Sequence, residues 1–275
     1  MNMEGLRKSI LAGSWYPADP DILRRDIEKY IRNVPDQELE SDIVSIIVPH
    51  AGYIYSGQVA AYAYKLVQGK NYDAVIIVGP SHRVAFRAIS IYSQGAFETP
   101  LGVTPIHERI AGEMKHISKI IVDYPAAHAE EHSLEIQLPF LQSVLGRFSF
   151  IPLIMGDQSA AVCRELASVI SQVAEGRRIL IVASSDLSHF HDYQKAKELD
   201  EIVLKNIKDD NVEGLLNDLA QGKTEACGGG PVAVAMLAAG QLGARHSQLL
   251  KYANSGDVTG DKESVVGYMS AALYR

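Results

Sequence analysis

Three apolar, β-branched runs in this chain each stop at residues able to bind a metal or move a proton. VSIIVPHAGYIYSG, at 44–57, climbs to Pro49 and ends on His50; AVIIVGPSHR, at 74–83, ends on His82; ILIVASSDLSHF, at 179–190, brings Asp186 and His189. A single histidine after a strand is often no more than a hydrogen-bonded loop residue. Repetition changes the reading, because in an open α/β sheet the carboxyl ends of the strands are where ligands sit. Neutral imidazole suits zinc, iron, copper or nickel, so His50 and His82 could share an ion if their strands are neighbours. A third ligand is then required. Cys227, in TEACGGGPVAVAMLAAG, is a candidate: the glycines allow close backbone approach, and the helix opened by Pro231 favours a thiolate near its N-terminus. The same cysteine also reads as a small buried hydrophobe beside a tight turn.

A further block, HAEEHSLEIQLPFLQ, carries His128, Glu131 and His132 as H-x-x-E-H, the inverted zinc-protease pattern. Helical periodicity here begins nearer Ser133, an N-cap candidate followed by Leu134, Ile136, Leu138 and Leu141. That leaves His128 in a loop and breaks the i, i+4 geometry a peptidase needs. Glu131 and His132 are instead expected to line the same pocket, as hydrogen-bond support or as a substrate-facing acid/base pair. Tyr53 and Tyr55 straddle the pocket entrance, where they orient a polar substrate or pack over the helix that follows. Trp15 and Tyr16 of GSWYP cap the cleft or fill the core. Arg83 attracts an anionic ligand or forms a structural ion pair. His107, His116, His191 and His246 lie among charged residues or in a turn and need no special task.

The elements that must position these groups alternate. Strands are expected over 43–48, 74–78, 88–92, 148–153, 179–184 and 265–273. Helices are expected over 19–32, with Asp19 as N-cap and Pro20 in the first turn, and over 58–68, 106–116, 134–145, 160–174, 193–208 and 232–239. Alternation of this kind builds an α/β fold, a largely parallel or mixed sheet with helices on both faces, here one domain over 1–275.

Composition narrows the function classes. At 275 residues, 47% hydrophobic and 21% charged, the chain can bury a large core without disulfides. Its net charge of −7, with no Lys/Arg cluster, argues against a nucleic-acid partner. No apolar stretch approaches the roughly 20 residues that span a bilayer, and MNMEGLRKSI lacks a signal core, so a soluble, cytoplasmic protein is expected. The two cysteines, Cys163 and Cys227, are far apart, so neither a disulfide framework nor a zinc knuckle is expected.

PHAGYIYSG, GPSHR, EHSLEIQLPFLQ, SSDLSHF and ACGGGP, in that order, resemble the Memo family, whose prokaryotic members are also called AmmeMemoRadiSam system protein B. AGSWYPAD at 12–19 and GDVTGDKESVVGYMSAAL at 256–273 extend the likeness over nearly the whole chain. The family is similar in fold to class III extradiol ring-cleaving dioxygenases. The resemblance implies that His50, His82 and Cys227 are metal ligands and that His189 is an acid/base residue, with Asp186 beside it. Where the ring-cleaving enzymes use two histidines and a carboxylate for Fe(II), this chain offers a thiol, a softer donor that also welcomes Cu(I). The system label implies a radical-enzyme partner. Such a partner would be a separate polypeptide, since two cysteines cannot hold an iron–sulfur cluster.

Two functions follow as expectations. One is an iron- or copper-dependent oxidoreductase acting on a small aromatic or phenolic molecule, with His189 moving a proton and Asp186 fixing its tautomer. The other is a non-catalytic adaptor that uses the same pocket for a peptide or phenolic ligand. A zinc hydrolase follows from the histidines alone.

Overall fold

Runs of Val and Ile become strands buried along their whole length, which requires layers on both faces. The computed structural model describes residues 5–36 and 42–275. Residues 1–4, part of the stretch read for a signal core, and residues 37–41, inside the span read as one domain, lie outside the described residues.

Four parallel strands form the centre of a nine-stranded mixed sheet, in the order Ile43–Val48, Ile179–Ser184, Ala74–Pro80, Phe150–Met155. Val265–Tyr274 joins Ile43–Val48 antiparallel, and the edge strand His246–Asn254 joins it in turn. On the other side Ile89–Ile91 pairs antiparallel with Phe150–Met155 and parallel with Ile121–Asp123. The short strand His189–His191 pairs with the start of Val265–Tyr274 through an irregular register. A separate three-stranded sheet comprises Leu6–Arg7, Ala96–Thr99 and Gly102–Pro105.

The expected strands and helices are present, with shifted ends. Asp19 caps Pro20–Arg32 by accepting from the Asp21 and Ile22 amides. The helix expected from residue 58 begins five residues earlier, as Tyr53–Val67. Gly52 gives it no side-chain cap; instead the Tyr53 amide donates to the Trp15 carbonyl at 2.9 Å, a contact across 38 residues that no local pattern announces. Ser133 does not cap the next helix either. That segment starts as a 3₁₀ turn, Glu135–Gln137, and continues as Leu138–Leu145, while the Ser133 hydroxyl donates to the Pro80 carbonyl. Helix Val212–Ala220 and strand His246–Asn254 were not expected. Among the described residues no helix is long and apolar enough to cross a membrane.

Candidate metal centre

The three chemistry-bearing strand ends are neighbours. Val48, Ser184 and Pro80 close adjacent parallel strands, and two residues beyond each come His50, Asp186 and His82. The 131–134 segment lies against them because Gly79 has no side chain: a Cβ there would sit 2.5 Å from the Ser133 hydroxyl. This approach delivers His132. Ring centroids are 5.1 Å apart for His50 and His82, 5.2 Å for His50 and His132, and 4.4 Å for His82 and His132. One nitrogen from each of these three rings lies within 4.8 Å of the others. Cys227 is not of that trio but touches one member, its Sγ standing 3.1 Å from His50 Nε2. Its loop comes close because Gly228 also lacks a Cβ, which would strike the Ser184 carbonyl at 2.3 Å.

The protonation states suit a cation. Burial, followed by the nearby His82 ring, pushes His50 down to about 3, and burial with His50 beside it pushes His132 down to about 3. Both rings are neutral near pH 7, the state in which imidazole ligates. Glu131 stands behind His82, its carboxylate accepting from His82 Nδ1 at 2.9 Å, from the His82 amide at 2.6 Å and from the Ser133 amide at 2.9 Å. Burial alone would raise this carboxyl, but the hydrogen bonds from His82 outweigh it and hold Glu131 at about 2. An ionised carboxylate only accepts, so the His82 proton sits on Nδ1 and the Nε2 lone pair is left for a ligand. A carboxylate behind an imidazole in this way is a common support of metal-binding histidines. His132 Nδ1 is buried without a hydrogen bond, with Glu131 Oε1 3.4 Å away. Three clustered imidazoles, one of them carboxylate-backed and two neutral near pH 7, fit a divalent transition metal.

A cleft of about 520 Å³ opens above the rings, walled by Trp15, Tyr55, Arg83, His189, Val266 and Tyr268. Trp15 lies over His132 with centroids 4.5 Å apart. His189 also faces a second cavity, of about 580 Å³, which reaches Cys227. Asp186 is buried and accepts the His50 amide at 2.7 Å; burial pushes its carboxyl above the usual carboxylate range despite that bond. Among the described residues no hydrogen bond joins it to the His189 ring, so its fixed partner is the His50 backbone.

Tyr53 is not at the entrance. In the first helical turn it points opposite to Tyr55, and it is buried with its hydroxyl donating to the Ile136 carbonyl at 2.8 Å and its ring against Phe140 and Tyr16. Tyr16 is likewise in the core. Glu131 is 2% exposed and engaged with His82, so it supports rather than faces a substrate. The H-x-x-E-H pattern comes apart: His128 lies on the short helix Pro125–Ala129, buried against Tyr92 and Phe97, outside the imidazole trio.

One part of the site went unread in the sequence. Arg7 and Glu135, both buried, pair at 2.5 Å. Arg7 also donates to the carbonyls of His128 at 2.6 Å and Glu131 at 2.8 Å. Glu135 accepts from the Ser9 hydroxyl at 2.7 Å and the Tyr16 hydroxyl at 2.6 Å. This knot straps residues 7–16 across the 128–135 segment and sets Trp15 on His132. An acidic residue within the largely apolar run LEIQLPFL was the only local sign of it.

A family profile described as Memo-like protein matches residues 7–272. A MEMO1 family protein of Nitrosopumilus maritimus is 37% identical over 268 residues, covering 96% of this chain and 98% of that protein. One of Thermoplasma volcanium is 36% identical, covering 98% and 99%. Among solved structures, an uncharacterized protein from Escherichia coli K12 aligns with a TM-score of 0.56 at 12% identity, covering 82% of this chain and 99% of that one, a likeness of fold alone.

Proposed function

The chain belongs to the Memo family, and from that premise we propose that its cleft holds iron(II) or copper and that the protein is an oxidoreductase acting on a small aromatic or phenolic molecule. The observation that carries this reading is the convergence of His50, His82 and His132, with Cys227 against His50, at the floor of an aromatic-walled cleft. His50 and His82 are the ligands common to every arrangement, and Cys227 and His132 compete for the third position. When bound, such an ion would supply one-electron chemistry and open coordination positions to the substrate. The chain does the rest. Trp15 and Tyr55 flank the substrate ring, Glu131 holds His82, Asp186 holds the His50 backbone, and His189 at the cleft wall moves the substrate's proton.

A second reading, a binding protein without turnover for a peptide or phenolic ligand, is favoured by the Cys227 contact, which engages the His50 nitrogen from within the fold. Metal analysis after anaerobic purification separates the two. Stoichiometric iron or copper, lost in His50→Ala and His82→Ala, with oxygen uptake on a phenolic panel, supports the enzyme. A metal-free protein that binds phenols equally well in wild type and His50→Ala overturns it. Cys227→Ala and His132→Ala assign the third ligand by which of them loses the ion.

A further inference from the structure

We infer that Ser184 and Gln137, neither of them a metal ligand, are positioning residues that fix the tautomer of His50 and thereby present its Nε2 lone pair to the cleft. This rests on the reading of His50 as a ligand and extends it to a chain of neutral groups behind the ring.

Hydrogen counting decides the matter, because the participants are all buried: Ser184 and Tyr64 at 0% exposure, Gln137 at 1%, His50 at 2%. A hydroxyl has one hydrogen to give and two lone pairs to fill. The Ser184 hydroxyl has three neighbours: the Ser133 carbonyl at 2.6 Å, Gln137 Nε2 at 2.8 Å and His50 Nδ1 at 3.0 Å. A carbonyl only accepts, so Ser133 takes the single hydrogen. The Gln137 amide nitrogen only donates, so it fills one lone pair. The remaining lone pair must meet a hydrogen on His50 Nδ1. The Gln137 amide cannot be turned over, since its Nε2 also donates to the Pro49 carbonyl at 3.0 Å and its Oε1 accepts from the Tyr64 hydroxyl at 2.8 Å. Reversal would set oxygen against oxygen at Pro49. His50 is therefore held as the Nδ1–H form with Nε2 bare, and the Cys227 thiol at 3.1 Å can donate to it. His82 reaches the same tautomer by other means, an ionised carboxylate rather than a neutral relay.

The test is made on the full chain without metal, labelled with ¹⁵N-histidine, by two-bond ¹H–¹⁵N correlation at neutral pH, followed by Co(II) titration. In the wild type, His50 Nδ1 is expected to be the protonated, pyrrole-type nitrogen and Nε2 the pyridine-type one. Ser184→Ala and Gln137→Met should each give a mixture of tautomers and about 10- to 100-fold weaker Co(II) binding; Ser184→Thr, which keeps the hydroxyl, should restore both. A proton on Nε2 in the wild type overturns the inference. So does a folded variant with unchanged tautomer, whatever its affinity, since the residue would then be merely structural. If Ser184→Ala fails to fold, the wild-type spectrum and Gln137→Met still decide. Wild-type protein that binds no Co(II) would count against the metal reading while leaving the tautomer result standing.

Discussion

Replacing Glu131 by glutamine tests the electrostatic core of the site with almost no change of shape. The carboxylate receives three N–H groups, two on Oε1 and one on Oε2. Glutamine has one carbonyl oxygen and one NH₂. With its NH₂ toward the His82 amide, two donors face each other at a spacing that is now 2.6 Å. Turned round, the NH₂ faces His82 Nδ1 and the Ser133 amide, and His82 can accept only by moving its proton to Nε2, the atom required for the metal. Hydrogen bonds to a charged group contribute about 1.5–3 kcal/mol each and a stranded buried donor costs about 1–3 kcal/mol, so Glu131→Gln should destabilise by about 3 kcal/mol. For a chain of this size that is a fall of roughly 6–12 °C in Tm. Because Glu131 is held below its ordinary value of 4.5, its contribution is complete above that pH and fades as acid drives the pH toward about 2. The wild-type advantage in denaturant melts should therefore be full at pH 7 and smaller at pH 3. Co(II) affinity, followed by its visible absorption, should drop about 10- to 100-fold. Melting and affinity both matching the wild type would refute the carboxylate–histidine reasoning.

The remaining predictions concern the groups around that core. Tyr53→Phe should cost about 1 kcal/mol in denaturant melts and leave phenol binding unchanged, because its hydroxyl serves Ile136 rather than the cleft. Arg7→Ala leaves Glu135 buried and uncompensated and should cost about 3–5 kcal/mol, with increased solvent quenching of the chain's single tryptophan as the strap loosens. His128 is pushed from 6.5 to about 3 by burial and then by Arg7, so the unfolded chain takes up its proton first and stability is lost as pH falls from 6.5 toward 3. His128→Phe should make stability less steep in pH across that window by about 1.4 kcal/mol per pH unit, measured by urea melts.

Strand cores were legible because buried parallel strands write themselves as unbroken Val and Ile runs, and Ile43–Val48 and Ile179–Ser184 fall where the runs do. The residues just past them were legible for the same reason, since the end of such a run points to the ligand edge of the sheet. What failed was direction. Tyr53 and Tyr55 differ by two positions, which are nearly opposite faces of a helix but the same face of an extended segment, and the helix start that decides between the two depends on a hydrogen bond to Trp15. Arg7 and Glu135 are 128 residues apart and belong to different periodic patterns, so their pairing had no sequence signal. His132 was read only as lining the pocket, as hydrogen-bond support or as part of a substrate-facing acid/base pair; its place beside His50 and His82 depends on Gly79 admitting the 131–134 segment.

His50 is the joint between two possible donor sets, and the chemistry of the two sides differs. An ion held by His50, His82 and His132 meets two rings pushed down to about 3 and a third whose Nδ1 hydrogen is held by the Glu131 carboxylate. An ion that recruits Cys227 must first remove a thiol proton, and burial, with Asp186 beside it, pushes that thiol well above its ordinary value. Only a metal whose affinity for sulfur offsets that cost will draw the thiol in, which favours Cu(I) over harder ions. Asp186 thus acts on both sides at once, its carboxylate fastening the His50 backbone while its charge opposes the thiolate. On the proposed reading, the choice of metal would turn on the proton of Cys227 more than on the spacing of the histidines.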